Sequence, residues 1–564
     1  MRKILLITLC FLSQWAVAQK ETPKWVEKAK RAVFSIVTYD KDNKLLNTGN
    51  GFFVSEDGVA LSDYTLFKGA QRAAIVNFEG KQMPVEAIIG VNDLYDVIKF
   101  RVATDKKVPA LQVAPVPPVK DAVAYLLPYS TQKDRSCTEG KVTVVSPLPG
   151  GHHYYTLSMA LTDKMVSCPV TNAEGQVFGV AQKDAAGDGK QCYAVGANFA
   201  MALALNAISI HDSALESIGI KKALPETEEQ ALVYLMMNAT KSPEDYLALI
   251  NEFISQFPNS SEGYLRRATH YVYNFRDAQH FALAESDLAQ AMKLSQKKDD
   301  IHFNTAKLVY ANQIMQPEFK YKDWGYEKAL QQIQQAISID PLPLYIQQEG
   351  DIYFAMQNYP KAYEAYDKVN KSALASAATF YSAAKTKELM NADWGEVIAL
   401  LDSAVAKYTA PIPEEAAAYV LERAQAKMNK ELYRQAAQDY DTYYYAVNGK
   451  VNDLFYYLRE QAHYKAKNFK GALDDIDKAV EMNPNDATYL AEQGAVNLRV
   501  ARYDEAIKAL QAALVIDPKF AACYRLIGFC QLQQGKKTEA CENFAKAKEL
   551  GDEAVNTLIE KNCK

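Results

Sequence analysis

Residues 487–518 read ATYLAEQGAVNLRVARYDEAIKALQAALVIDP, and residues 521–551 read AACYRLIGFCQLQQGKKTEACENFAKAKELG. Laid one on the other, Tyr489, Gly494, Ala506, Leu510 and Ala513 answer to Tyr524, Gly528, Ala540, Phe544 and Ala547. Gly494 to Gly528 is 34 residues, as is Ala506 to Ala540 (528 − 494 and 540 − 506). A fixed period of this size marks a stacked array of helix pairs. Small residues sit where paired helices approach closely, and aromatic residues fill the gaps between them.

Weaker copies run back to about residue 226. Residues 453–484 carry Tyr456, Phe469, Ala472, Ile476 and Ala479, and 415–443 carry Tyr419, Ala424, Ala436 and Tyr440. Residues 343–369 carry Gly350, Tyr353, Ala362 and Tyr366. Residues 260–294 and 300–341 follow the same rule, the latter with an insertion near 317–324. Residues 373–404 are the most degenerate copy, and 228–257 form the first helix pair. This makes eight or nine units, with 552–563 as a terminal helix covering the last open face.

The pattern resembles the tetratricopeptide repeat. The resemblance implies an all-α superhelix in which the first helix of each pair lines a concave groove. The groove positions map to Tyr457, Gln461, Tyr464, Lys465, Leu498, Arg499, Arg525, Phe529 and Leu532. One groove type of that family clamps a peptide's terminal carboxylate with Lys and Asn. Here those positions hold Tyr457 and Gln461, Ala491 and Ala495, Arg525 and Phe529. The clamp is absent, so the expected ligand is an internal protein segment rather than a chain end.

At 564 residues the chain has room for two or more domains. Its net charge of −5 and the lack of a Lys/Arg run speak against nucleic acid as a partner. The 35 tyrosines suit helix-packing seams and contact surfaces alike. Residues 1–18 read as a signal peptide. Arg2 and Lys3 precede the apolar run Ile4–Leu12, and Ala16-Val17-Ala18 forms an A-x-A cleavage site. No later stretch approaches the about 18 apolar residues of a membrane span. The expected location is the periplasm or cell surface of a bacterium. In such a compartment disulfides are favoured. Cys137, Cys168, Cys192, Cys523, Cys530, Cys541 and Cys563 have no pairing that the sequence can give. No Cys/His spacing points to zinc, and no metal or cofactor is expected.

From about residue 29 to 205 the chain reads as strands. Runs at 32–39, 51–54, 59–61, 74–78, 85–91, 97–102, 123–127, 141–145, 176–182 and 191–195 are separated by Gly, Pro and Asp. Many short strands at this spacing mean an all-β barrel or sandwich. Five pieces in order resemble the trypsin-like fold, in its HtrA-like (DegP-like) branch. They are Gly49-Asn50-Gly51-Phe52-Phe53-Val54, Leu61 to Phe67, Asp93 to Lys99, Glu139-Gly140-Lys141-Val142, and Pro169-Val170-Thr171-Asn172 with Gly175 to Val180. The resemblance implies an N-terminal double β-barrel over 24–212, a linker at 213–227 and the repeat array over 228–564.

The chemistry does not follow the fold. Acyl transfer of this kind needs a serine, a histidine base and an orienting carboxylate, with backbone N–H donors for the oxyanion. On this alignment the histidine position holds Thr65 and the nucleophile position holds Val166, while the carboxylate stays as Asp96. Lys164, Ser167 and Cys168 replace glycines of the nucleophile loop. Ser167 and Cys168 are rescue nucleophiles only if a base stands beside them. His152 and His153, after Pro149-Gly150-Gly151, read as a solvated loop. The resulting expectation is an exported, non-catalytic interaction scaffold with no catalytic residue, whose inactive barrel is a second docking surface. Two classes stay open beside it: a serine-type endopeptidase with an atypical site, and a carbohydrate or polymer binder.

Overall fold

The strand-forming residues of the N-terminal half close two barrels. In the computed structural model, which describes residues 22–183, 190–209 and 212–563, the first barrel uses six strands. They are β1 (Val33–Tyr39), β2 (Leu45–Phe53), β3 (Val59–Ser62), β4 (Arg72–Val76), β5 (Gln82–Asn92) and β6 (Val97–Val102), in the order β1-β2-β3-β6-β5-β4. Side chains alternate across each strand, so one set points inward. Phe34, Phe53, Phe67 and Phe100 fill the interior, with neighbouring ring centroids 4.6 to 6.4 Å apart. The motif glycine Gly51 has no room for a side chain. A Cβ there would lie 2.7 Å from Phe34 Cε2 and 2.8 Å from the Leu61 carbonyl.

The second barrel uses β7 (Val123–Leu126), β8 (Thr138–Leu148), β9 (His152–Leu157), β10 (Pro169–Thr171), β11 (Val177–Gln182) and β12 (Cys192–Gly196). It closes as β10-β11-β12-β9-β8-β7. Leu126, Val142, Leu157, Val170 and Val180 are fully buried in it. Helices α1 (Trp25–Lys30) and α2 (Ala197–Ala202) pack on the same core. Strand β9 is missing from the sequence reading, which took His152 and His153 as loop. The glycine turn before them, with φ of +76° at Gly150 and +78° at Gly151, reverses the chain tightly enough for β9 to pair at once with β8. The candidate signal peptide, residues 1–18, lies outside the described residues.

Residues 213–227, read as a linker, pack onto the first barrel. In and beyond α3 (Ser213–Glu216), Ala214, Leu215, Ile218 and Ile220 join its core. The Ile88 N–H donates to the Lys221 carbonyl at 2.8 Å, and the Ala223 N–H donates back to the Ile88 carbonyl at 2.8 Å.

Helices occupy the rest. They run as α4 (Glu228–Met237), α5 (Pro243–Gln256), α6 (Ser261–Asn274) and α7 (Ala278–Leu294), and then in pairs, first α8 (Lys298–Met315) with α9 (Tyr326–Ile339). Next come α10 (Pro343–Ala355) with α11 (Tyr359–Asn370), and α12 (Ala377–Leu389) with α13 (Trp394–Val405). The series ends with α14 (Ala417–Asn429) and α15 (Tyr433–Ala446), α16 (Asp453–Lys465) and α17 (Phe469–Met482), α18 (Ala487–Arg499) and α19 (Tyr503–Ile516), and α20 (Ala521–Gln533) and α21 (Lys537–Glu549). The short α22 (Asn556–Asn562) closes it. By internal contacts the chain divides into residues 1–270 and 271–564. In each of the last two pairs the repeat's glycine lets the helices touch. A Cβ on Gly494 would sit 2.4 Å from Leu510 Cγ, and one on Gly528 would sit 2.7 Å from Phe544 Cε1.

Two devices were not read from the sequence. Arg423 pairs with Asp439 of its own helix pair at 2.7 Å and with Asp402 of the preceding pair at 2.8 Å. Arg459 repeats this with Asp475 at 2.6 Å and Asp441 at 3.0 Å. At the far end a disulfide joins Cys541 of α21 to Cys563 after α22. Cys137, Cys168, Cys192, Cys523 and Cys530 are free thiols.

Candidate functional site

Two sites emerge, one in each compact unit. The first is the cleft between the barrels. Its cavity of about 570 Å³ is lined by Asp63, Leu94, Tyr95 and Asp96 from the first barrel, and by Ser146, Leu148, Tyr154, Val166, Gln182 and Lys183 from the second. The turn after β3 brings Thr65 to Asp96. The Thr65 N–H donates to Asp96 Oδ1 at 2.7 Å, and Thr65 Oγ1 donates to the same oxygen at 2.9 Å. Asp96 therefore orients a threonine where a base is required. Its backbone is held in the left-handed region, with φ of +47°. Gln182 ties the barrels together, its Nε2 donating to the Tyr95 carbonyl at 2.7 Å while Tyr154 Oη donates to its Oε1 at 2.8 Å.

The nucleophile loop is pinned from the opposite barrel. Asn50 Nδ2 donates to the carbonyls of Lys164 (3.1 Å) and Val166 (3.0 Å). Val166 places an isopropyl group on the cavity wall. Ser167 takes a left-handed φ of +64°, its N–H donates to the Ala181 carbonyl at 2.8 Å, and its Oγ is fully buried without a hydrogen-bond partner. Cys168 is fully buried, and burial pushes its thiol up to about 12, so near neutral pH it is not a thiolate. No histidine stands among the residues lining the cavity. His152 packs edge-on against Phe199 and His153 stacks on Tyr155.

Asp63 went unnoticed in the sequence. It follows the apolar strand β3 and is only 8% exposed. Burial, and secondarily the nearby Asp96, pushes its carboxyl up to about 7. The available signal was an aspartate ending an apolar run two residues before the histidine position.

The second site lies in the last helix pairs. Tyr464, Leu498, Arg499, Arg525 and Phe529, all expected in the groove, line one cavity of about 420 Å³. Ala495, Tyr503, Leu526, Gln533 and Leu558 complete it. Leu558 comes from α22, so the terminal helix is part of the wall. Arg499 Nε donates to Tyr464 Oη at 2.8 Å, and its guanidinium lies 5.8 Å from that ring's centroid. Arg525 is already paired with Asp552 at 2.6 Å, so among the described residues lining the cavity Arg499 is the cation without a carboxylate partner. Four of the expected groove residues stand off this cavity. Tyr457 packs its ring on Tyr489 at 5.2 Å, Gln461 donates to Glu460 Oε2 at 2.6 Å, Lys465 is exposed, and Leu532 packs with the Ala540–Phe544 cluster. Among the described residues no cluster of His, Cys, Asp and Glu is arranged to hold a metal, and no helix is long and apolar enough to cross a membrane.

Residues 49–180 match the trypsin-like peptidase domain family. The chain is also 31% identical over 93 residues to small glutamine-rich tetratricopeptide repeat-containing protein 2 of Saccharomyces cerevisiae, covering 16% of this chain and 27% of that protein. It is 23% identical over 246 residues to TPR repeat-containing protein MJ1428 of Methanocaldococcus jannaschii, covering 42% and 41%. This is a trypsin-like double barrel followed by an all-α repeat region that is similar to tetratricopeptide-repeat proteins. A third relative, DnaJ homolog subfamily C member 7 of Mus musculus, is 32% identical over 89 residues, 16% of this chain and 18% of that protein. The chain thus spans well under half the length of each of these curated relatives.

Proposed function

We propose that this chain is an exported, non-catalytic protein-interaction scaffold that captures protein segments in the groove of its repeats, with the barrel as a second docking surface. The observation that carries the reading is the pair of hydrogen bonds from Thr65 to Asp96, opposite the apolar Val166. In support of this reading, Thr65 stands where the resemblance calls for the base and Val166 where it calls for the nucleophile, and Cys168 is buried as a neutral thiol. The groove combines apolar Leu498, Leu526 and Phe529 with the Arg499–Tyr464 pair, a surface suited to an amphipathic internal segment. Export rests on the signal-like residues 1–18, and the partner is expected within a bacterial envelope assembly.

The test has two arms. The purified protein is treated with a fluorophosphonate and with a thiol-reactive inhibitor, then incubated with denatured casein. Neither labelling at Ser167 or Cys168 nor cleavage is expected, and active-site labelling with turnover refutes the non-catalytic reading. In the native envelope, crosslinking is expected to return a reproducible protein partner that is lost in Leu498→Ala/Phe529→Ala. Capture unaffected by that variant refutes the groove assignment.

A further inference from the structure

The cleft between the barrels holds a charge imbalance that, among the described residues, its lining does not resolve. Asp63 is buried and Asp96 stands close enough to repel it. Asp96 spends Oδ1 on Thr65, and its second carboxyl oxygen lies outside those two bonds. The cation in the cavity lining, Lys183, is held by Asp163 at 2.6 Å. Asp63 Oδ1 accepts from Ser62 Oγ at 3.4 Å, and the fully buried Ser167 also bears on that carboxyl, but neither hydroxyl carries a positive charge. A buried carboxyl beside a second carboxylate, with no cation of its own, is costly to ionise and becomes favourable once a cation enters.

The remaining walls are apolar. Leu148 and Val166 line the cavity with Tyr154, and Leu94 stands at it 78% exposed. Apolar walls leading to two acids match an amphipathic side chain, whose methylene stem lies on hydrocarbon while its charged head meets the carboxylates. A metal ion would gain nothing from those walls, and an anion would be repelled. Lysine and arginine side chains have the required form.

We propose that this cleft is a receptor for one basic side chain of an extended protein segment, its stem against Leu94, Leu148 and Val166 and its cation between Asp63 and Asp96. The proposal rests on the reading of the barrel as a docking surface and names the chemistry that surface selects. The positions that match the triad of the trypsin-like family then frame a recognition pocket. Thr65 keeps Asp96 in place, and Asn50 keeps Val166 at the wall.

The test uses the full chain and two peptides, acetyl-Ala-Ala-Arg-Ala-Ala-amide and its citrulline counterpart, which has nearly the same shape without the charge. Calorimetry near neutral pH is expected to show the arginine peptide bound about tenfold more tightly or better. Asp96→Asn and Asp63→Asn should each remove most of that preference while leaving the citrulline peptide unchanged. Both variants are close in shape to aspartate, and circular dichroism checks their fold. Binding of the arginine peptide should also release protons as Asp63 ionises, read from the dependence of the heat on buffer, and Asp63→Asn should abolish that release. Equal affinity for the two peptides overturns the cation pocket and leaves the barrel standing as a docking surface. No binding of either at millimolar concentration overturns both. A preference that survives both variants places the cation elsewhere and also refutes the proposal.

Discussion

Replacing Glu460 with glutamine should relieve a pH-dependent weakness in the repeat region. Glu460 is fully buried in α16, and its Oε1 has no hydrogen-bond partner. Oε2 accepts from Gln461 Nε2 at 2.6 Å. Burial, then the neighbouring carboxylate of Glu492 on α18, pushes the group up to about 8, with Asp475 on α17 adding to the rise. The folded value lies above the unfolded one, so the folded chain holds this proton more tightly. Its contribution is therefore intact below about pH 4.5 and is lost progressively as pH rises toward 8. That interval is worth at most about 5 kcal/mol at about 1.36 kcal/mol per pH unit. Between pH 6 and 8 the expected loss is about 2 kcal/mol, or about thirtyfold in local opening. Hydrogen exchange of the α16–α18 peptides, corrected for intrinsic rates, reads this directly because arrays open locally. Glutamine keeps an acceptor for Gln461 and cannot ionise, so Glu460→Gln should flatten the change in protection. An equal loss of protection in wild type and variant between pH 6 and 8 refutes the reasoning.

Asp439 receives Arg423 and Lys427 at 2.7 and 2.8 Å, so Asp439→Ala strands the largely buried Lys427 and leaves Arg423 with Asp402 alone, and should cost about 3–5 kcal/mol, measured by urea unfolding followed by circular dichroism. Gly528→Ala forces a methyl group against Phe544 and the Ala540 carbonyl and should lower stability by about 1–3 kcal/mol in the same assay. Cys541→Ser opens a loop that spans a sequence separation of 22 residues and should cost about 3 kcal/mol, with exchange protection lost first in α22.

The repeat was legible because it rests on spacing. Gly494, Ala506, Gly528 and Ala540 each mark a close approach that permits no larger side chain, and such constraints leave their period in the sequence. The barrels were legible through alternation, but β9 was hidden because its first two residues are histidines behind two glycines. The stretch 213–227 looked like a linker because its composition is mixed and it contains Pro225, yet Ala214, Leu215, Ile218 and Ile220 seat it on the first barrel. Thr65, Asp96 and Val166 were singled out by order along the chain, and the structure bonds Thr65 to Asp96 and sets Asp96 and Val166 on one cavity. Asp63, Asn50 and Gln182 could not be, because their roles depend on contacts across 86 to 116 residues of sequence or on burial that no local pattern records (Asn50 to Lys164 and Val166, Gln182 to Tyr95 and Asp96, and Asp63 buried at a cavity that Val166 and Lys183 of the second barrel also line). The same holds for the groove. Tyr464 and Arg499 are one unit only because α16 and α18 bring them within a hydrogen bond.

The ion pairs and the disulfide answer one problem of linear arrays, in which each unit is stabilised mainly by its neighbours. Arg423 and Arg459 each fasten a helix pair to the one before it through Asp402 and Asp441. One unit further on, that link is the neutral one from Gln493 to Asp477 at 2.7 Å. Where it weakens, the fastening changes in kind. Arg525 grips Asp552 ahead of the terminal helix, and Cys541 is bonded to Cys563 behind it. The last of these helix pairs is thus tied covalently to the segment after α22. Leu558, a wall of the groove cavity, lies between those two fastenings. The end of the array is the place where a free helix would be lost most easily and where the cavity is built. Holding it shut there gives the groove a fixed wall before any partner arrives, which reduces the ordering cost of binding.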